Sequence, residues 1–364
     1  MKILYLTNIP SPYRVAFFNE LGKRCDLTVI FEKNSSTERD DSWKEYSFDH
    51  FTGIILKGVS IRTDAAICPG VVRYLKKGKY DHIVVTNLSS PTGLMAIAWL
   101  KMSHIPYCIE GDGAFASKGK GLKERIKTWG ISSAVTCFST SKAHDEYYMT
   151  YGAKPAAIVR YPFTSLYAKD VLTQPLSTTQ KEDAKRKLHI REKKMILSVG
   201  AYIHRKGYDL LMQAMSDLPV EWGVYLVGGE PTEEYLELKR SLGLEQVHFV
   251  PFQTGDALKS YFEAADAFVL PTREDIWGLV INEALANGLP VITTDKCIAG
   301  IELVRDNYNG FIVKHDDVQD LRDGIIRLMN AEEHWEEYGN HALEVMSGYT
   351  IEKMVEAHIE AWNV

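Results

Sequence analysis

Short apolar runs alternate along the chain with longer stretches in which apolar residues recur at helical spacing. In the first half the runs are "KILYLTN", "DLTVIFE", "GIILKG", "DHIVVTNL", "PYCIEG", "AVTCFSTS" and "AAIVRY". In the second half they are "KMILSVG", "GVYLVGG", "VHFVPF", "AFVLPT", "PVITT" and "GFIV". Between them lie helical patterns such as "RVAFFNELGK", "PTGLMAIAWLKM", "TEEYLELKRSLG", "ALKSYFEAA" and "LVINEALANG". Continuous apolar strands separated by amphipathic helices predict α/β architecture with parallel sheets buried on both faces. The stretch from Asp170 to Lys194 breaks the pattern: it is polar and charged, and it reads as a linker with a short helix. A chain of 364 residues also exceeds one ordinary core, at about 150 residues per domain. The expectation is two domains, 1–170 and 171–348, followed by a C-terminal helical segment, 349–364.

Within this frame one segment carries chemistry. "REDIWGLVINEALANGLPVI", Arg273 to Ile292, follows the strand "AFVLPT". Its first part is a strand-to-helix loop at the carboxyl end of a parallel strand, where open α/β sheets bind ligands. A helix starting near Gly278 offers unpaired N–H groups and a positive dipole end to an anion. Ile276, Trp277, Gly278 and Leu279 therefore become candidate ligand contacts. Asp275 precedes the helix and Glu283 lies inside it. Carboxylates can each accept two hydrogen bonds from a vicinal diol, so a phosphate on the helix start with flanking carboxylates describes a nucleotide-sugar site. In a second glycine-bounded loop, "GAYIHRKGYD", Arg205 and Lys206 can neutralise a diphosphate.

The first half supplies less patterned candidates. "TNIPSPYR" follows the first strand and offers Asn8, Tyr13 and Arg14, with two prolines stiffening the loop. For Arg14 a ligand contact and a helix-start surface position are equal alternatives. "IEGDGAF" places Glu110 and Asp112 in a glycine-rich loop at a strand end, which suits a ligand better than packing. Its Gly-x-Gly is not in the first strand-to-helix turn, so it is no dinucleotide fingerprint. In "NLSSPTG" a serine reads as a helix cap. "SKGKGLKERIKTWG", residues 117–130, combines Lys118, Lys120, Lys123, Arg125 and Lys127 with Leu122, Ile126 and Trp129 at helical spacing. That pattern fits either an anionic membrane surface or a solvated helix.

Composition narrows the field only modestly. A net charge of −6 gives no global argument for nucleic acid. No apolar run is long enough to span a bilayer, and the N-terminus reads as a strand in place of a signal peptide. Five widely spaced cysteines without a C-x-x-C point to a reducing cytoplasm and away from zinc or disulfides. No D-x-D or ligand-spaced His/Asp cluster predicts a metal site.

The segment "PTREDIWGLVINEALANGLPVI" resembles that of the retaining glycosyltransferases of family 4, whose members carry "PSxxEPFGLVxxEAMAxGxPVI". The family's two glutamates map onto Asp275 and Glu283, so the first is shortened to Asp. "SVGAYIHRKGYDLLMQAM" resembles the family's glycine loop, with Gly200 and Lys206 in place, but Ala201 stands where an arginine is usual. "VHFVPF" resembles the base-binding strand, which brings in Phe252. The resemblance implies a GT-B fold, two Rossmann-like domains facing across a cleft, with the last helix crossing back to the first domain. It implies transfer of a sugar from a nucleotide-sugar, UDP-linked by expectation, to a glycan or lipid-linked glycan, as in bacterial surface polysaccharide synthesis. The anomeric configuration would be retained, with no cofactor or metal, in the cytoplasm or on the inner face of the membrane. Asp275, Lys206, Arg205, Asp112 and Glu110 become the expected catalytic group, and Glu283 the expected ribose contact. A non-catalytic glycan-binding protein on the same fold and a nicotinamide-dependent oxidoreductase remain the alternatives.

Overall fold

The computed structural model describes residues 1–34, 47–61, 65–117, 119, 121–216, 218–219 and 221–363. The chain divides into two compact units, Met1–Ser165 with Tyr349–Val364, and Leu166–Gly348. The strands of the first unit are β1 (Lys2–Thr7), β2 (Asp26–Phe31), β3 (Thr52–Ile55), β4 (Val59–Ser60), β5 (Ala66–Ile67), β6 (His82–Val85), β7 (Cys108–Glu110), β8 (Thr136–Ser139) and β9 (Ile158–Arg160). Those of the second are β10 (Lys194–Val199), β11 (Trp222–Val227), β12 (Val247–Val250), β13 (Ala267–Leu270), β14 (Val291–Thr294) and β15 (Gly310–Val313).

In the first unit seven strands form one sheet in the order β3-β2-β1-β6-β7-β8-β9, and every pair is parallel. Its interior strand β1 explains the pattern: Ile3, Leu4, Tyr5 and Leu6 are all buried, because helices cover both faces. Ser90 caps the helix Pro91–Met102, accepting the Gly93 N–H at 2.8 Å. The C-terminal helix Ile351–Trp362 belongs to this unit, with His358 against Phe17 and Phe138 and Trp362 against Tyr5. The small antiparallel pair β4–β5 was not among the expected strands; two-residue strands leave no periodicity to read.

In the second unit six parallel strands run β12-β11-β10-β13-β14-β15. This order reverses between β10 and β13, so the loops leaving those two strands diverge from neighbouring carboxyl ends. The polar stretch expected as a linker holds the helix Thr178–Lys187, capped reciprocally by Ser177 and Gln180. Lys185 pins it: Nζ donates to Asp266 Oδ2 at 2.5 Å and to the Lys193 carbonyl at 2.9 Å. Asp266 Oδ2 also accepts the Met195 N–H at 2.8 Å. The pair is buried, so Asp266→Ala leaves an ammonium without its counter-charge and an unpaired Met195 amide. A loss of about 3–5 kcal/mol is expected, read as a lowered urea midpoint.

Candidate functional site

The loops leaving β10 and β13 are tied together by polar contacts. The Arg205 carbonyl accepts the Arg273 N–H at 2.8 Å and the Thr272 hydroxyl at 2.9 Å. In return the Arg205 guanidinium donates to the Glu274 carbonyl at 2.8 Å. Arg273 itself is a bracket, donating twice to Asp209 at 2.8 and 2.6 Å, once to Asp316 at 2.8 Å and once to the His204 carbonyl at 2.7 Å. Gly207 makes the approach sterically allowed: its φ is +70°, and a Cβ there would lie 2.0 Å from the Pro271 carbonyl oxygen.

This stitching delivers Lys206 to Asp275. Lys206 Nζ donates to Asp275 Oδ2 at 2.7 Å, and the Arg205 guanidinium stands 3.3 Å from Oδ1. The Asp275 N–H is held by the Lys296 carbonyl at 2.8 Å. Gly278, at φ +99°, then turns the chain into the helix Leu279–Ala286; a Cβ would meet Cys297 Sγ at 2.9 Å. No side chain caps this helix, and the Ile281 N–H bends back to the Gly278 carbonyl. The N–H groups of Leu279 and Val280 have no acceptor among the described residues, and together with the helix dipole they favour an anion. Glu283, one turn further in and partly buried, has no hydrogen bond or ion pair at its carboxylate among the described residues. Burial pushes that carboxyl up to about 7.

Of the expected residues of the second unit, the contacts bring together Arg205, Lys206 and Asp275. Ile276 is exposed on the loop, Leu279 is partly so, Gly200 ends β10 with its carbonyl taken by the Tyr208 hydroxyl, and Phe252 is exposed beyond β12. Trp277, expected as a ligand contact through the backbone of this turn, puts its side chain in the core. Its indole N–H donates to buried Asn282 Oδ1 at 2.8 Å, so its side chain faces away from solvent. Ala201 is exposed and uncharged, while the Arg205 side chain, from the same loop, reaches across to the Glu274 carbonyl of the neighbouring one.

In the first unit Arg14, Glu110 and Asp112 meet as a network. Arg14 forks between Glu110 Oε1 and Asp112 Oδ1. The other Glu110 oxygen accepts the Tyr5 hydroxyl at 2.9 Å and faces His358 Nε2 at 3.2 Å; the Tyr161 hydroxyl lies 3.4 Å from Oε1. Asp112 Oδ2 accepts the Tyr13 hydroxyl at 2.9 Å. Burial pushes the Glu110 carboxyl up, but the Arg14 charge and the His358 contact outweigh it and hold it at about 2. With 0% exposure and every lone-pair direction engaged, Glu110 is a structural anion in place of the expected catalytic contact. Arg14 is likewise buried under Tyr13 and Phe163, neither a surface residue nor open to a ligand. Asp112 keeps partial exposure. Asn8 sits in the loop after β1, its Oδ1 accepting the Ile9 N–H at 2.8 Å and its carbonyl the Lys33 N–H. The partners missed from sequence, Arg273–Asp209 and Glu110–His358, are separated by 64 and 248 residues. No local pattern connects groups so far apart.

Residues 180–345 match the family described as "Glycosyl transferases group 1", and this part of the chain is a group 1 glycosyltransferase domain. An uncharacterized glycosyltransferase of Haemophilus influenzae is 32% identical over 178 residues, 47% of this chain and 50% of that protein. A lipopolysaccharide core biosynthesis glycosyltransferase of Rhizobium meliloti is 31% identical over 139 residues, 37% of this chain and 39% of that protein. The chain thus spans half or less of the length of these relatives. Across its whole length the fold superposes on the Anabaena protein HepE solved with UDP, at a TM-score of 0.81 and 17% identity, covering 99% of each chain. The architecture is the GT-B fold, two Rossmann-like domains.

The Glu283 carboxyl gives a direct test of the site's electrostatics. Its folded value lies above that of an unfolded glutamate, so its favourable contribution is present below about 4.5 and is lost as pH rises through about 7. Glu283→Gln removes that pH-dependent cost. Its melting temperature relative to wild type is expected to rise between pH 5 and pH 8 in thermal unfolding; a constant difference would mean the carboxyl is not strained.

Proposed function

We propose that this chain is a retaining glycosyltransferase that moves a sugar from a UDP-linked donor to a glycan or lipid-linked glycan of a bacterial surface polysaccharide. The observation that carries the reading is the turn at the β10/β13 reversal. It holds Lys206 on Asp275, and the helix that follows offers the uncapped Leu279 and Val280 amides and a Glu283 carboxylate with no partner among the described residues. The amides and Lys206 suit a diphosphate, and Glu283 suits ribose hydroxyls. The UDP held by the Anabaena structure and the core-polysaccharide role named for the Rhizobium relative support the choice of donor and acceptor class.

In this reading the acceptor hydroxyl attacks the face the diphosphate leaves, and the departing phosphate oxygen takes its proton. That route suits the carboxylates of the first unit, since Glu110 is saturated and Asp112 is already paired with Arg14 and Tyr13. Lys206 and Arg205 then stabilise the charge that develops on the leaving group, with Asp275 fixing both cations in place. UDP is expected to raise the melting temperature of the chain. Lys206→Ala is expected to lower kcat/KM by roughly 10²–10³ in a donor-turnover assay. The wild-type rate is expected to persist in excess EDTA, because protein cations carry the diphosphate charge; loss restored by magnesium would overturn that part.

The membrane contact of the same reading rests on the helix Leu122–Ile131. Lys118 and Lys120 lie outside the described residues. Leu122 is 71% and Trp129 39% exposed, with Lys123 and Arg125 exposed beside them. Met102 and Trp99 add apolar surface from the preceding helix, and Lys101 lies over the Trp129 ring at 4.5 Å. Lys127 differs from expectation: its Nζ is engaged by the Tyr147 and Tyr151 rings. No helix of the described residues is long and apolar enough to cross a membrane. Lys123→Glu with Arg125→Glu is expected to weaken co-sedimentation with phosphatidylserine vesicles at least roughly tenfold, at about 1 kcal/mol per basic residue. Transfer to a soluble acceptor is expected to be unchanged.

A further inference from the structure

The second unit contains a cavity of about 480 Å³ at the opposite edge of its sheet from the turn that carries Lys206 and Asp275. Three elements line it. Asn307 comes from the loop before β15, Arg327 and Asn330 from the end of the helix Val318–Asn330, and Tyr338 from the helix Trp335–Ser347. Asn307 precedes the first residue of β15, so the cavity lies at the amino end of that strand. Lys206 and Asp275 follow the carboxyl ends of β10 and β13 in the same parallel sheet.

None of these four side chains has a hydrogen bond or ion pair among the described residues. Asn307, Arg327 and Asn330 are exposed. Tyr338 is 5% exposed, and its hydroxyl is not among the fully enclosed unpaired polar atoms. A single unpaired polar side chain at a surface is ordinary. Here four line one cavity, and two of them are held in place by packing. The Arg327 guanidinium lies over the buried Phe311 ring at 4.8 Å. Tyr338 meets the same ring edge-on at 6.3 Å, and the His334 ring lies parallel to it at 6.3 Å.

The charges decide what the cavity suits. Arg327 faces two lining carboxylates, Glu333 and Glu337, which flank His334 at 3.6 and 3.4 Å. The cavity also adjoins the carboxyl end of the helix Val318–Asn330, the negative end of its dipole. Both features oppose a phosphate or another anion. An apolar ligand would cover four polar side chains without pairing them. Sugar hydroxyls donate and accept at once, as the two amides and the tyrosine do, and the guanidinium and carboxylates complete the set. The volume falls within the range of about 300–1,000 Å³ typical of small-ligand sites.

We propose that this cavity is a second, non-catalytic saccharide-binding site, with Asn307, Arg327, Asn330 and Tyr338 as its hydrogen-bonding groups. Its chemistry stands on these residues alone. Its use rests on the reading of the chain as a glycosyltransferase: it holds a sugar unit of the glycan away from the reacting atoms.

The test observes the cavity directly. The full chain is labelled with 15N-asparagine, and the side-chain amide signals of Asn307 and Asn330 are followed while lactose, maltose, N,N′-diacetylchitobiose or inorganic phosphate is added. A saturable shift of both signals with at least one disaccharide is expected. No shift with any of the three, or a shift with phosphate alone, overturns the proposal. Arg327→Ala and Tyr338→Phe are each expected to raise the titration midpoint about fivefold. Unchanged midpoints in both variants overturn the site, and Tyr338→Phe, which keeps the ring, decides the matter if Arg327→Ala fails to fold. UDP binding is measured on the same samples by thermal shift and is expected to match wild type in both variants. UDP binding without any disaccharide response overturns this inference alone. A disaccharide response without UDP binding supports the site and counts against the proposed function.

Discussion

The reversal of strand order between β10 and β13 is the constraint from which the candidate site follows. In a parallel sheet every strand delivers its following loop to the same edge. Only where the order reverses do two loops part and leave room between them for a ligand. Here those loops begin at Gly200 and Pro271, about seventy residues apart in sequence, and they are joined through Arg205, Arg273 and Thr272. The ion pair of Lys206 with Asp275 is a consequence of that stitching. Neither residue could be placed by its own local propensity.

Charge is handled differently in the two units. In the first unit the buried anion Glu110 is neutralised by Arg14 and surrounded by Tyr5, Tyr161 and His358. A carboxylate held at about 2 with its hydrogen bonds complete has no capacity left for a substrate. It instead fastens the helices Pro12–Gly22 and Ile351–Trp362 to the end of β7, since Arg14 and His358 belong to them. In the second unit burial raises the Glu283 carboxyl, and no hydrogen bond or ion pair among the described residues offsets that cost.

Those two units were unequally legible from the sequence. The thirteen strands of the two large sheets coincide with the thirteen apolar runs, because buried parallel strands are apolar on both faces and need no tertiary information to be seen. The two loops at the β10/β13 reversal stand out in the sequence for a related reason: their residues are packed into two short segments whose spacing is itself the signal. Trp277 shows the limit, because backbone position placed it at the site while the direction of its side chain depended on Asn282. The role of Glu110 was hidden more deeply. A carboxylate at a strand end looks the same in sequence whether it meets a substrate or an arginine, and here the decision rests with a histidine 248 residues away.

The two departures from the family pattern converge on the same atoms. Asp275 is shorter than the usual glutamate, and Ala201 lacks the usual arginine. A shorter acid reaches less far toward a ligand, and its backbone is pinned by Lys296, so its carboxylate stays close to the loop. There it meets both Lys206 at 2.7 Å and Arg205 at 3.3 Å. Arg205 comes from the far end of the same glycine loop whose near end has lost its cation. The turn therefore holds two cations and one carboxylate between the loops. The position of the shortened acid and that of Arg205 are thus coupled through one ion pair, so neither can be altered without exposing the other to a changed charge environment.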